Sequence, residues 1–209
     1  MSKLPFFAMR NMIGLLGLFI MTVATHAQDI SVHTAPSKAQ AVFAAGCFWC
    51  IEKPFYEQNG VLDVTVGYIG GTAETATYPQ VSSGKTSHIE AVAVTYDPSQ
   101  VTYQQLLDIF WVNIDPFDAT GQFCDKGAQY RAAILYGNED EKQQAQTSKK
   151  HMEDKLGKAI VTEIIPATQF YPAEEYHQDY YKKNPNRYAF YRWRCGRDNR
   201  LDEVWGSVD

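Results

Sequence analysis

Between Gln40 and Lys183 two kinds of apolar spacing take turns, and their order restricts the fold more than any other feature of the chain. Runs with every second residue apolar, rich in β-branched side chains, require a sheet; runs with apolar residues three and four apart require a helix lying on something. Gln40–Ala44 reads as a buried strand that ends in Ala45-Gly46. From Cys47, Phe48, Ile51 and Phe55 with Glu52 and Lys53 outside predict a helix, and Pro54 sits near its first turns, where a proline does least harm. Val61–Ile69 and His88–Tyr96 alternate as strands closed by Gly70-Gly71 and Asp97-Pro98. Thr102 and Gln105 form a capping box before Leu106, Leu107, Phe110 and Trp111. Asp115–Gly127 reads as a loop, Gln129–Tyr136 as a strand, Asn138 to about Leu156 as a polar helix, Ala159–Ile165 as a strand and Ala173–Lys183 as a short helix stopped before Pro185. The order β-α-β-β-α-β-α-β-α predicts one α+β domain with a mixed, mostly antiparallel sheet and helices packed on it. From Asn186 onward the chain is aromatic and basic with little periodicity, and an irregular tail is expected there.

The opening residues stand apart from this pattern. Lys3 and Arg10 precede an uncharged apolar stretch, Met12–Ala24, and Thr25-His26-Ala27 offers a small residue for cleavage. Residues 1–27 are therefore expected to be a signal peptide and 28–39 a polar linker, with export to the periplasm; the alternative is an uncleaved anchor, for which the run is short. A formal net charge of −5 and the lack of any Lys/Arg run argue against nucleic acid as a partner. Aromatic residues reach 13%, enough to build a site from rings.

In an oxidising compartment thiols pair unless something keeps them reduced. The chain has four cysteines, Cys47, Cys50, Cys124 and Cys195. Two structural disulfides are one reading, and a redox-active pair is the other. Only Cys47 and Cys50 have ligand-like spacing, so no metal is expected. Gly46-Cys47-Phe48-Trp49-Cys50 lies at the predicted strand-to-helix junction, where the free N–H groups and dipole of a helix start would lower the Cys47 pKa. Bulky Phe48 and Trp49 between the cysteines argue for an apolar substrate pocket.

A family resemblance runs through the chain in order: Gly46-Cys47-Phe48-Trp49, Gly67-Tyr68-x-Gly70-Gly71, Tyr78-Pro79-x-Val81, Gly84 with His88-x-Glu90-Ala91-Val92, and Tyr96-Asp97-Pro98. Asp115-Pro116, Asp125-x-Gly127-x-Gln129-Tyr130-Arg131 and Ala173-Glu174-x-x-His177-Gln178-x-Tyr180 follow. The sequence resembles the peptide methionine sulfoxide reductase A family, over roughly residues 40–185. The resemblance implies a single reductase domain over residues 40–209, a two-layer α/β sandwich with a ferredoxin-like core, whose tail (about 186–209) takes part in recycling. It implies reduction of the S epimer of methionine sulfoxide, in proteins and free, with no bound cofactor and an external thiol reductant of the thioredoxin kind; nothing in the sequence suggests more than a monomer.

A sulfoxide pairs an electrophilic sulfur with a basic oxygen, so its reduction needs a soft nucleophile and a proton donor. By resemblance Cys47 attacks the sulfur and Glu90 gives the proton. Glu90 shares a strand face with Val92 and Val94, which would raise its pKa and keep it protonated. Tyr78 and Tyr130 match the phenols that hold the oxygen, Asp125 an acidic position that orients water or Tyr130, and Phe48 and Trp49 the cage around the methyl group. His88 and His177 match motif positions without a catalytic role. Cys47 would become a sulfenic acid. Position 50 is Gly in the commonest family pattern and Cys here, so Cys50 is expected to resolve first and Cys195 to relay, with Cys124 bordering the pocket. Two other functions stay open: a thiol–disulfide exchanger using Cys47/Cys50, and a non-enzymatic binding module stapled by disulfides.

Overall fold

The β-branched runs pair into a sheet and the amphipathic runs lie on it, as the spacing requires. The computed structural model describes residues 38–206; the expected signal peptide, and the linker up to residue 37, lie outside them. In chain order come β1 (Ala39–Ala45), α1 (Phe48–Tyr56), β2 (Val61–Ile69), α2 (Tyr78–Ser82), β3 (Ile89–Tyr96), α3 (Tyr103–Trp111), β4 (Gly121–Gln122) and β5 (Asp125–Lys126). Then follow β6 (Ala132–Tyr136), α4 (Glu139–Leu156), β7 (Glu163–Pro166), β8 (Phe170–Pro172), α5 (Tyr180–Lys183), α6 (Pro185–Arg194) and α7 (Arg197–Trp205).

The main sheet has six strands in the order β7-β6-β1-β3-β2-β8. Only β6 and β7 run parallel. Its inner strands β6-β1-β3-β2, joined through α1 and α3 as β-α-β-β-α-β, are the expected ferredoxin-like core. Alternation sends Ala41, Phe43, Val66, Val92, Val94 and Ile134 to one face, where Ile51 and Phe55 of α1, Leu106 and Phe110 of α3 and Met152 of α4 cover them. Phe43 is the hub, stacked on Phe55 at 5.0 Å, Phe110 at 5.4 Å and Tyr103 at 6.1 Å between ring centroids. The other face carries smaller residues, Ala44, Ala91, Ala93 and Ala133 among them, against which Ile165, Ala167 and Phe170 pack.

Two features of this frame set the site. Gly46, at φ +81°, turns the chain from β1 into α1; a Cβ there would lie 2.5 Å from that of Gln122. Antiparallel pairing, with Phe43 opposite Val92, brings the outgoing end of β1 to the incoming end of β3, where Glu90 stands opposite Tyr68 of β2. The capping box of α3 is present in full.

Several local expectations need correction. The tail is not irregular: α6 and α7 occupy it, and its periodicity escapes notice because α6 turns Tyr188 and Tyr191 inward rather than aliphatic residues. Ala173–Lys183 is not one helix but a 3-10 turn, Glu175–His177, and the short α5, parted by Asp179 at φ +53°. Side chains there serve the sheet instead: Gln178 Oε1 accepts from the Val66 N–H and its Nε2 donates to the Val66 carbonyl, both at 2.9 Å, as a strand neighbour would. The third long strand starts at Ala132, because Ala128–Tyr130 forms a 3-10 turn after Gly127 at φ +127°. The strand expected over Ala159–Ile165 begins at Glu163, and β4 and β5 pair as a small hairpin inside the expected loop.

Phe43→Ala is expected to lower the unfolding free energy by about 3–5 kcal/mol in urea titration. A loss under about 1 kcal/mol would show that the ring stack is not the centre of the core.

Candidate active site

The β1–α1 turn leaves Cys47 as the N-terminal flanking residue of α1, with φ −52° and ψ 117°. The first N–H of the helix, that of Phe48, donates to Glu90 Oε2 at 3.0 Å and not to a sulfur. Cys47, Phe48, Trp49, Tyr78, Glu90, Asp125 and Tyr130 all line one cavity of about 90 Å³, and Tyr191 completes its wall. All seven residues expected to react with or hold the substrate are thus brought together; Cys50, Cys195 and Cys124 lie outside this lining. The space is smaller than the roughly 150 Å³ void that takes a benzene ring. It has room for a group of a few heavy atoms, with the rest of any larger molecule left outside.

Glu90 is 2% exposed, and its burial raises the carboxyl pKa to about 8 against the opposing Phe48 N–H, with Asp125 adding to the rise. At neutral pH it is a carboxylic acid facing the cavity. Burial raises Tyr78 to about 12 and Tyr130 well above the usual phenol range, so both hydroxyls remain donors. Glu90, Tyr78 and Tyr130 thus offer three protons to the cavity that also contains the Cys47 thiol.

Cys47 departs from expectation. It is a free thiol, 6% exposed, and burial raises its pKa; its hydrogen bond with Cys50 and the nearby Glu90 and Asp125 carboxyls act in the same direction. A helix start is worth about 0.3–1 kcal/mol to an anion, whereas taking one out of water costs several kcal/mol. Desolvation wins, the more so because Glu90 takes the leading N–H. The lowered thiol is Cys50, at about 7, through the hydrogen bond from Cys47 and, more weakly, the guanidinium groups of Arg197 and Arg192. The pair thus holds a charge near neutrality, and passing the Cys47 proton to Cys50 exposes the nucleophile.

The cage is built as a stack. Phe48 packs on Tyr68 at 5.9 Å and on His177 at 5.1 Å. Trp49 lies flat on Tyr180, centroids 3.8 Å apart and planes 6° apart. His177 backs the cage: burial lowers its pKa, Trp49 Nε1 donates to its Nδ1 at 3.1 Å, and Tyr78 packs on it at 4.4 Å. Glu174 aligns two more rings, accepting from the Tyr68 hydroxyl and the Tyr78 N–H at 2.9 Å each. His88 Nε2 meets the Thr72 carbonyl at 2.9 Å, a structural contact.

Asp125 sits in the cavity wall, but its hydrogen bond is from Tyr191 Oη at 2.5 Å rather than from Tyr130. Tyr191 is the residue that sequence reasoning missed. Tyr188 and Tyr191 stand three apart, a helical spacing that was the available signal. Cys195 is not in a loose tail: it caps α6 and is disulfide-bonded to Cys124, which leaves Cys47 and Cys50 as thiols. A module stapled by two disulfides is therefore overturned. The Cys124 and Cys195 sulfurs and an Asp125 carboxylate oxygen lie within 4.8 Å of one another.

A cavity lined by a free thiol and a carboxylic acid, with a second free thiol packed beside the first, fits an oxidoreductase that works through thiols. Sequence comparison narrows the class. The model of the family described as Peptide methionine sulfoxide reductase matches residues 39–208, and the chain belongs to that family. It is 51% identical over 170 residues to Peptide methionine sulfoxide reductase MsrA of Bacillus velezensis, covering 80% of this chain and 96% of that one. Among solved structures, methionine sulfoxide reductase A of Corynebacterium diphtheriae superposes with a TM-score of 0.67 at 36% identity, covering 72% of this chain and 76% of that one. Reduced Mxr1 from Saccharomyces cerevisiae gives a TM-score of 0.69 at 32% identity, over 73% of this chain and 89% of the other.

Ionisation of the thiol pair should raise activity as pH climbs through about 7, and loss of the Glu90 proton should lower it above about 8. Glu90→Gln is expected to remove the falling limb and to cost about 10²–10⁴ in kcat, the usual worth of a general acid. A wild-type rate that keeps rising past pH 9 would exclude Glu90 as the donor.

Proposed function

We propose that the chain reduces the S epimer of methionine sulfoxide, in proteins and as the free amino acid, to methionine. The observation that carries this reading is that the Cys47 thiol and the protonated Glu90 carboxyl line one small, ring-walled cavity. Cys47 sulfur attacks the sulfoxide sulfur while Glu90 protonates the oxygen and Tyr78 and Tyr130 hold it. The hydroxyl then passes from the substrate sulfur to the Cys47 sulfur as the bond between the two sulfurs breaks, so that methionine leaves and Cys47 becomes a sulfenic acid. Phe48 and Trp49 receive the methyl group through soft contacts of sulfur and carbon with rings.

Cys50, packed with Cys47 in one buried cluster on the first turn of α1, condenses with the sulfenic acid to give a disulfide and water. A low thiol pKa favours the attacking thiolate. The relay expected of Cys195 belongs to a pair, Cys124 and Cys195. Cys124 is exposed, and the pair borders an outer groove of about 560 Å³ lined by Arg187, Phe190, Tyr191 and Arg194, which supports access by an external dithiol protein of the thioredoxin kind. Two electrons and two protons from the Cys124/Cys195 dithiol would reopen Cys47–Cys50. The basic and then apolar opening of residues 1–27 supports export, with the work done in the periplasm.

With separated epimers of a methionine sulfoxide derivative and dithiothreitol, the S form is expected to be consumed and the R form left, and Cys47→Ser to be inactive. Consumption of neither epimer, with insulin disulfides reduced instead, would favour a thiol–disulfide exchanger. Cys50→Ser is expected to slow turnover with a thioredoxin at least tenfold and, because it removes the acceptor of the Cys47 proton, to slow the first release of methionine as well. Full turnover in that variant would remove Cys50 from the resolving step.

A further inference from the structure

Tyr191 belongs to two pockets at once. It stands in the wall of the cavity that contains Cys47, and on its other side it lines the outer groove with Cys124 and Cys195. Its hydroxyl donates to Asp125 Oδ2 at 2.5 Å, and its ring meets Trp49 edge-on, with centroids 6.0 Å apart. Cys195 follows one helical turn later, and its backbone N–H donates to the Tyr191 carbonyl at 3.0 Å. On the facing hairpin Cys124 immediately precedes Asp125. The same two segments are thus tied twice: Cys195 to Cys124 by a covalent bond, and Tyr191 to Asp125 by a hydrogen bond.

The covalent tie governs the other. Helix α6 has ten residues, too few to be stable without partners, and its C-terminal turn reaches the hairpin through Tyr191 and Cys195. The end of the tail has holds of its own, in which Arg197 donates to the Asn113 carbonyl, Arg200 pairs with Asp115 at 2.7 Å and Trp205 Nε1 donates to the Ile114 carbonyl at 2.9 Å, besides the Arg192–Asp198 pair to α6 and the Arg197 guanidinium over the Phe123 ring. Opening the disulfide would therefore leave α7 docked, with Arg192 still paired to Asp198, and loosen the hold of the Tyr191 turn on the hairpin.

We infer that Tyr191 is a positioning residue for sulfoxide reduction, acting through Asp125 and the Trp49 ring, and that the Cys124–Cys195 disulfide sets it in place. The inference rests on the reading that the cavity takes the sulfoxide, and it gives the outer disulfide a second task. When the Cys124/Cys195 dithiol passes two electrons and two protons to the Cys47–Cys50 disulfide, the inner thiols are regenerated and the outer sulfurs join. The step that restores the nucleophile thus also closes the cavity wall. The protein described here, with Cys47 and Cys50 as thiols and Cys124 bonded to Cys195, is in that closed state.

Single-turnover reduction of a methionine S-sulfoxide derivative tests this without recycling. The full chain is treated with one equivalent of dithiol, the state of each cysteine is verified by mass spectrometry after alkylation, and no further reductant is added. Tyr191→Phe keeps the ring and loses the hydroxyl, so the rate constant should fall about tenfold, the scale of one charge-assisted hydrogen bond, with half-saturation unchanged. The double variant Cys124→Ser/Cys195→Ser should show a similar fall, and adding Tyr191→Phe to it should slow it little further, because the two act as one unit. Wild-type speed in Tyr191→Phe, or effects that simply multiply, would overturn the inference while leaving the proposed function standing. Failure of the wild type to yield methionine would overturn both. A second measurement needs no substrate: Cys47 should alkylate several-fold faster in the double-serine variant than in the disulfide-bonded wild type, and equal rates would also refute the coupling.

Discussion

The hydrogen bond from the Phe48 N–H to Glu90 Oε2 joins the start of the first helix to the second strand of the sheet's centre, and the chemistry of the cavity follows from it. It uses the positive end of α1 on a carboxyl rather than on a thiol. It fixes one oxygen of Glu90, a residue that lines the cavity. A single backbone donor does not offset the burial of that carboxyl, so Glu90 remains an acid near neutral pH. Cys47 loses the N–H that would have lowered its pKa and depends on Cys50 instead.

Burial is the common cause behind the other groups. The same apolar walls raise Tyr78, Tyr130 and Tyr191, so the cavity offers hydroxyl donors and a carboxylic acid around one sulfur. That balance suits a reaction in which negative charge grows on an oxygen and must be met by protons. The rings are held by a polar layer behind them, in which His177 and Glu174 fix Trp49, Tyr68 and Tyr78 by hydrogen bonds at 2.9–3.1 Å. His177 belongs to the packing behind the rings: it lies against Phe48, Trp49 and Tyr78, its Nδ1 is occupied by an indole and its charge is suppressed by burial.

Much of this was legible along the chain. The alternation of Ile89–Tyr96 places Glu90 on the face of Val92 and Val94, and both valines lie in the main core as that alternation requires. The capping box of Thr102 and Gln105 forms as read. The tail was misread because its buried side is made of Tyr188, Tyr191 and Arg197, residues that a hydropathy pattern assigns to solvent. Ala173–Lys183 was misread for a related reason: Glu174 and Gln178 are polar in composition but are spent on the sheet and the cage.

By itself the sequence determined the order of strands and helices, the position of Cys47 at a strand-to-helix turn and the apolar face that carries Glu90, because each depends on side-chain periods and turn residues a few positions apart. Tertiary structure alone decided which carboxyl takes the Phe48 N–H across 42 residues, which tyrosine meets Asp125 across 66, and which cysteine pairs with Cys124 across 71. It also decided the sign of the Cys47 shift. Those outcomes turn on how far water is excluded and on which distant segments are brought into register, and neither is encoded in any one stretch of chain.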